Sequence, residues 1–178
     1  MLTLVLGGAR SGKSRFAESL CANARRVAYI ATLRPEDDEM RERVARHRSE
    51  RPPHWLTVEE PLDIARAAER CGECDYILLD CLTLWLSNLS WCHRAETHDT
   101  SRGLAARELA RFVSAAARCN CVIVSNEVGY GLVPESAVGR AFRDLQGWLN
   151  QDAARAADAV YLVVAGIPLA IKRPEAAL

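Results

Sequence analysis

The sequence predicts an α/β protein in which a mostly parallel sheet is flanked by helices. Two observations carry this. Short apolar runs alternate along the chain with longer stretches whose apolar residues recur at helical spacing, and a glycine-rich turn joins the first run to the first such stretch. Nothing repeats and no linker-like segment divides the 178 residues, so one domain over 1–178 is expected.

Composition narrows the function classes. Hydrophobic residues make up 49% and charged residues 26%, values that leave no room for a long disordered region. Lys plus Arg and Asp plus Glu each number 23, so the net charge is zero and the broad basic footprint of a nucleic-acid binder is missing. No apolar run approaches the roughly 18 residues of a membrane span. The N-terminus opens on a strand rather than a leader, so a cytoplasmic protein without membrane insertion is expected. Seven cysteines stand at 21, 71, 74, 81, 92, 119 and 121. Cys71 and Cys74 have zinc-ligand spacing, but Cys119 and Cys121 do not form a second such pair, which favours reduced thiols.

The first element sets the chemistry. Leu2 to Ser14 reads LTLVLGGARSGKS and fits G-x-x-x-x-G-K-[ST], with an apolar run before it and a helical pattern after it. Gly7, Gly8 and Gly12 let the backbone turn its N–H groups toward phosphate oxygens, and the next helix adds its positive end. Lys13 supplies a charge to the β- and γ-phosphates, and the Ser14 hydroxyl suits Mg²⁺. This is a P-loop.

Arg15 to Ala24 is then a helix with Phe16, Ala17, Leu20 and Cys21 on its inner face. Val27 to Ala31 is a strand, and Thr32 and Leu33 follow at its carboxyl end, where open α/β sheets hold ligands. Pro35 opens a helix that carries Met40, Val44 and His47 on one face and ends before Pro52-Pro53. From the residues alone, His47 is either a helix-end histidine packed on the core or, amid arginines, a nucleophile at phosphorus.

Trp55 to Val58 is expected as a short strand, followed by Glu59 and Glu60 and by a helix from Pro61 to about Arg70. Tyr76 to Asp80 is an apolar strand ending in an acid, the pattern of a Walker B aspartate that holds Mg²⁺. A helix over Thr83 to Cys92, a loop over His93 to Ser101 and an amphipathic helix over Arg102 to Arg118 come next. The strand Cys121 to Ser125 delivers Glu127 to the same sheet edge as Asp80, so two acids could divide metal binding and proton handling. A helix reaching about Ala157 places Val138, Phe142, Leu145 and Leu149 inward. The strand Val160 to Val164 and a short edge strand, Leu169 to Lys172, complete the sheet.

Several stretches together resemble one family, the bifunctional adenosylcobinamide kinase/adenosylcobinamide-phosphate guanylyltransferases. They are Gly7 to Ser14, Tyr29 to Thr32, Asp37 to Met40 with His47 and Arg51-Pro52, Asn126 to Gly129, Val133 to Glu135, Phe142 to Leu145, Asn150-Gln151 and Val163 to Ile167. The resemblance implies a RecA-like P-loop fold, a cytoplasmic homotrimer and a late step toward coenzyme B12. It implies ATP or GTP as donor for phosphorylating adenosylcobinamide, and transfer of GMP from GTP onto adenosylcobinamide-phosphate through a guanylylated histidine, which here is His47. By the same resemblance, nucleotide lies against Gly7, Gly8, Ala9, Arg10, Ser11, Gly12, Lys13 and Ser14. Ala31, Thr32, Leu33, Arg48, Ser49, Glu50, Arg51, Glu59 and Asp80 join them, with Mg²⁺ on Ser14 and Asp80. Lys13 and His47 are the expected catalytic residues, and Glu127 is a candidate for substrate or metal contact. Two other readings are a P-loop kinase alone, with His47 structural, and a nucleotide-driven regulatory module.

Overall fold

A computed structural model describes residues 1–34, 38, 41, 42, 51–94 and 96–174. The central feature is a seven-stranded sheet with strands β1 (Leu2–Gly7), β2 (Val27–Ala31), β3 (Leu56–Glu59), β4 (Tyr76–Asp80), β5 (Asn120–Asn126), β6 (Ala159–Val164) and β7 (Ile167–Lys172). Its order is β3-β2-β4-β5-β1-β6-β7, and every neighbouring pair is parallel except β6 with β7. The antiparallel pair is a tight hairpin. Ala165 and Gly166 form its turn with positive φ values of 50° and 81°, the geometry such two-residue turns require.

Five helices are described, α1 (Lys13–Cys21), α2 (Ile64–Arg70), α3 (Leu82–Cys92), α4 (His98–Ala116) and α5 (Ala137–Ala156). Helix α1 covers one face of the sheet, where Ala17 and Cys21 pack with Val5, Tyr29, Leu78, Val122, Val124 and Val163. The other four helices contribute to the core on the opposite face, around Leu4, Ile30, Ile77, Leu79, Ile123, Trp85 and Phe112. Strands buried on both faces explain the near-continuous apolar runs read in the sequence.

Three expectations need correction. Helix α1 starts at Lys13 rather than Arg15, because the last P-loop residues form its first turn. The loop expected over His93 to Ser101 gives way to helix at His98, where the Thr97 side chain caps the Thr100 N–H and Asp99 sits in the first turn. Val138, expected to face inward, is 80% exposed. It lies in the first turn of α5, and the buried stripe of that helix begins at Leu145. The helix expected after Pro35 falls largely outside the described residues.

Candidate functional site

The carboxyl ends of the parallel strands bring the P-loop, Asp80 and Glu127 to one edge of the sheet. Strand β1 is buried throughout and stops at Gly7, whereas Gly8, Ala9 and Arg10 are exposed, so the loop mouth opens to solvent. A Cβ on Gly7 would lie 2.4 Å from Ser11 Oγ and 2.8 Å from the Val163 carbonyl oxygen, because the loop folds back over its own first residue. Gly12 caps α1 in the left-handed region, at φ 91°, and a Cβ there would meet Gly166 Cα at 3.1 Å. The β6–β7 turn buttresses the loop directly, since the Gly166 N–H donates to the Ser11 carbonyl at 2.8 Å. The N-cap residue Gly12 has no side chain to bond the first N–H groups and no acid occupies the first turn of α1, which leaves that positive end suited to an anion. Lys13 Nζ donates to the Gly8 carbonyl at 3.1 Å, across the loop mouth.

Asp80 ends β4 on the face that α1 covers, because it is two residues beyond Leu78, which packs there. One strand, β5, separates β4 from β1, a spacing of roughly 10 Å between strand axes. Tyr29 Oη donates to Asp80 Oδ2 at 2.6 Å, and the Arg51 guanidinium stacks 3.4 Å from the Tyr29 ring centroid. Burial, and next the Asp80 charge, push the Tyr29 hydroxyl well above its usual pKa, so it stays a donor to the carboxylate. Cys81 is pushed up to about 12 by burial and then by Asp80, while Lys13 pulls the other way; the lysine charge is felt beside Asp80.

Thr32 is fully buried, and its hydroxyl donates to the Cys81 carbonyl at 2.8 Å and accepts from the Cys81 N–H at 2.9 Å. The Asn88 amide donates to the Thr32 carbonyl at 2.8 Å. Thr32 therefore joins the end of β2 to the residue that follows Asp80. Ala31 pairs in register with both Glu59 and Asp80, which sets those two acids level across three strands. Leu33 is half-buried just beyond. Glu60 is turned away from the edge, accepting the Leu62 and Asp63 N–H groups at 2.9 and 3.0 Å. His47, Arg48, Ser49 and Glu50 lie outside the described residues.

Glu127 is fixed from two sides. Its N–H donates to the Gly7 carbonyl at 3.2 Å, and its Oε1 accepts from Asn150 Nδ2 on α5 at 2.9 Å. Behind Asn150 stand Gln146 and Ser125, both fully buried. Neither Tyr29 nor this polar group was expected at the site from sequence. The available signal was Gln146 and Asn150 interrupting the apolar stripe of Leu145, Leu149 and Ala153 at i, i+4 spacing.

A glycine-rich turn on a helix N-terminus, a lysine over its mouth and an acid one strand away are the parts of a P-loop nucleotide-binding enzyme. The fold agrees. An ATPase of the type III secretion system of pathogenic bacteria superposes with a TM-score of 0.56 at 10% identity, over 90% of this chain and 50% of that one, a RecA-like P-loop architecture. Residues 3–171 match the family described as cobinamide kinase / cobinamide phosphate guanyltransferase. Similar proteins include the bifunctional adenosylcobalamin biosynthesis protein CobP of Pseudomonas aeruginosa, 43% identical over 97% of this chain and 98% of its own length. The proteins CobU of Salmonella typhimurium and Escherichia coli, with the same bifunctional description, are 44% and 43% identical over 97% of this chain and all of theirs. The chain belongs to the cobinamide kinase/cobinamide phosphate guanylyltransferase family. It is accordingly an enzyme of phosphoryl and guanylyl transfer in cobalamin biosynthesis.

Proposed function

We propose that both activities of the family are run from the nucleotide site at this sheet edge, on adenosylcobinamide and then on adenosylcobinamide-phosphate. The observation that carries this is the family match over residues 3–171 in a chain whose P-loop, Asp80 and Glu127 share one edge. In the kinase half, Gly7 to Ser14 hold the triphosphate of ATP or GTP, and Lys13 neutralises the transferring phosphoryl. The substrate hydroxyl oxygen bonds to the γ-phosphorus, the bond to the bridging oxygen breaks with its electron pair leaving on the nucleoside diphosphate, and the hydroxyl proton passes to Glu127. With Oε1 held by Asn150, Oε2 is the oxygen left for that proton.

Ser14 and Asp80 are the Mg²⁺ ligands of this reading. A hydroxyl and a carboxylate are hard oxygen donors suited to that ion, and together they would hold it here. Bound there, the ion would neutralise phosphate charge. In the guanylyl half, His47 attacks the α-phosphorus of GTP and pyrophosphate leaves. The substrate phosphate oxygen then displaces histidine from phosphorus. Arg48, Ser49, Glu50, Arg51, Ala31, Leu33 and Glu59 line the nucleotide in this mode, and Thr32, fully buried with its hydroxyl bonded to Cys81, supports the strand end behind them. The reading takes the chain as one domain over 1–178, cytoplasmic and homotrimeric, on the strength of the family resemblance. Among the described residues no helix is long and apolar enough to cross a membrane.

The test is a two-stage assay. With adenosylcobinamide and ATP, the phosphorylated product is expected, and addition of GTP converts it to adenosylcobinamide-GDP with release of pyrophosphate. Lys13→Ala should lower kcat of the first stage about 100-fold or more. Lack of product in the first stage, by a folded protein that binds nucleotide, would refute the kinase assignment. Light scattering tests assembly, with a mass three times the 19.7 kDa of one chain expected.

A further inference from the structure

We propose that Asn150, locked by Gln146 and Ser125, is the positioning residue that holds Glu127 in place to receive the substrate proton; this rests on the reading of Glu127 given above. The hydrogen-bond directions carry it. Asn150 Nδ2 lies 2.9 Å from Glu127 Oε1 and 3.1 Å from the Asn126 carbonyl oxygen. Asn150 Oδ1 lies 2.7 Å from Ser125 Oγ and 2.9 Å from Gln146 Nε2, and Gln146 Nε2 also reaches Ser125 Oγ at 3.0 Å.

Only one arrangement of hydrogens satisfies this set. The Asn126 carbonyl can only accept, so the nitrogen of Asn150 must face it, and the same nitrogen must face Glu127. The oxygen of Asn150 then faces inward and needs donors. Gln146 spends both its N–H hydrogens on Asn150 and Ser125, and the Ser125 hydroxyl donates to Asn150. Flipping Asn150 would set acceptor against acceptor at Asn126 and donor against donor at Gln146, and flipping Gln146 would set its oxygen against Asn150 Oδ1. The chain of bonds therefore presents a fixed donor to Glu127 and sets the orientation of its carboxylate.

The location argues for function over packing. Gln146 and Ser125 are fully buried and Asn150 is 5% exposed, yet Gln146 Oε1 has no hydrogen-bond partner among the described residues, a cost that an apolar trio of similar size would not incur. The polar line runs from inside α5 to Glu127, an acid whose backbone N–H is bonded to the first P-loop residue. Anchoring Oε1 and the Glu127 backbone together sets the carboxylate relative to the phosphates that Gly7 to Ser14 would hold.

The test combines a mutant cycle with a spectroscopic readout on the full chain. Asn150→Ala should lower kcat of adenosylcobinamide phosphorylation about 10- to 100-fold while the KM for ATP changes less than about twofold. In a Glu127→Ala background, adding Asn150→Ala should change kcat by less than about twofold, because nothing remains to position. Equal fold-losses in both backgrounds would make Asn150 a structural residue and overturn the proposal while leaving Glu127 in its role. Unchanged kcat in Glu127→Ala alone would overturn that role, and the proposal with it. If Asn150→Ala fails to fold, Asn150→Asp keeps the acceptor for Ser125 and Gln146 and replaces the donor to Glu127 and to the Asn126 carbonyl by an acceptor; a loss at least as large is expected, and full kcat would be contrary. Independently of activity, the Asn150 side-chain amide signals in a ¹⁵N spectrum, identified by their loss in Asn150→Asp, should move in Glu127→Ala. Signals that stay in place would mean the bond is not formed.

Discussion

Replacing Thr32 with valine removes one hydroxyl and almost no volume, which makes it a clean probe of the join between β2 and β4. Two hydrogen bonds, of 2.8 and 2.9 Å, tie that hydroxyl to the carbonyl and N–H of Cys81. Thr32 is fully buried and Cys81 is 5% exposed, so water cannot replace the lost partner. The Cys81 carbonyl keeps the Trp85 N–H at 3.1 Å, so only the Cys81 N–H is left unpaired, at a cost of about 1–3 kcal/mol; with the second lost bond and the partial offset of the added methyl group, a loss of about 1–3 kcal/mol is expected. For a chain of this size that corresponds to a fall in Tm of about 2–12 °C. Thr32→Ser keeps the hydroxyl and should lose only about 1 kcal/mol, the worth of one buried methyl group. Urea unfolding of the three proteins measures both differences. Because Asp80 directly precedes Cys81, Thr32→Val should also weaken ATP binding, measured by titration calorimetry, whereas Thr32→Ser should not. A Thr32→Val protein no less stable than Thr32→Ser would refute the assignment of Thr32 as the clamp.

Three further expectations follow from the same geometry. Gly12→Ala places a side chain at φ 91° and 3.1 Å from Gly166 Cα; the backbone strain alone is about 1–2 kcal/mol, and nucleotide affinity should fall at least tenfold by calorimetry. Tyr29→Phe removes the donor to Asp80 Oδ2, and the Mg²⁺ concentration needed for half-maximal ATP turnover should change while the fold persists by circular dichroism. Cys21 and Cys81 are raised by burial from 9.0 to about 12, so above pH 9 the unfolded chain loses thiol protons that the folded chain keeps. Stability should therefore fall with rising pH between 9 and 12, by at most about 1.4 kcal/mol per unit for each thiol. Urea midpoints of wild type and Cys21→Ala at pH 8.5 and 10.5 measure this, and a slope unchanged in the variant would contradict it.

Much of the fold was legible because its signals are local. Apolar runs such as Tyr76 to Leu79 mark strands buried on both faces, and the P-loop spacing marks the join of β1 and α1. What was hidden depended on tertiary context. Val138 has the spacing of an inward residue, yet the first turn of α5 projects past the buried stripe, and periodicity does not say where a sheet ends. The start of α4 carries His98, Asp99, Thr100 and Ser101, with no apolar residue to announce it; its signal is the Thr97 cap. The site divides in the same way. Lys13 and Asp80 were readable from motifs, but Tyr29 meets Asp80 across 51 positions and Asn150 meets Glu127 across 23, pairings that only the folded sheet creates. Thr32 was expected beside nucleotide, and the fold commits its hydroxyl to Cys81.

The account as a whole turns on one enzyme making two kinds of transfer, and the covalent step separates it from a kinase alone. The direct measurement is to incubate the protein with α-labelled GTP and Mg²⁺ in the absence of corrinoid, then look for protein-bound label that is acid-labile and base-stable. Label in wild type that disappears in His47→Ala is the predicted result. Wild type that takes no label while still phosphorylating adenosylcobinamide would contradict it, leaving a kinase in which His47 has no part in the chemistry.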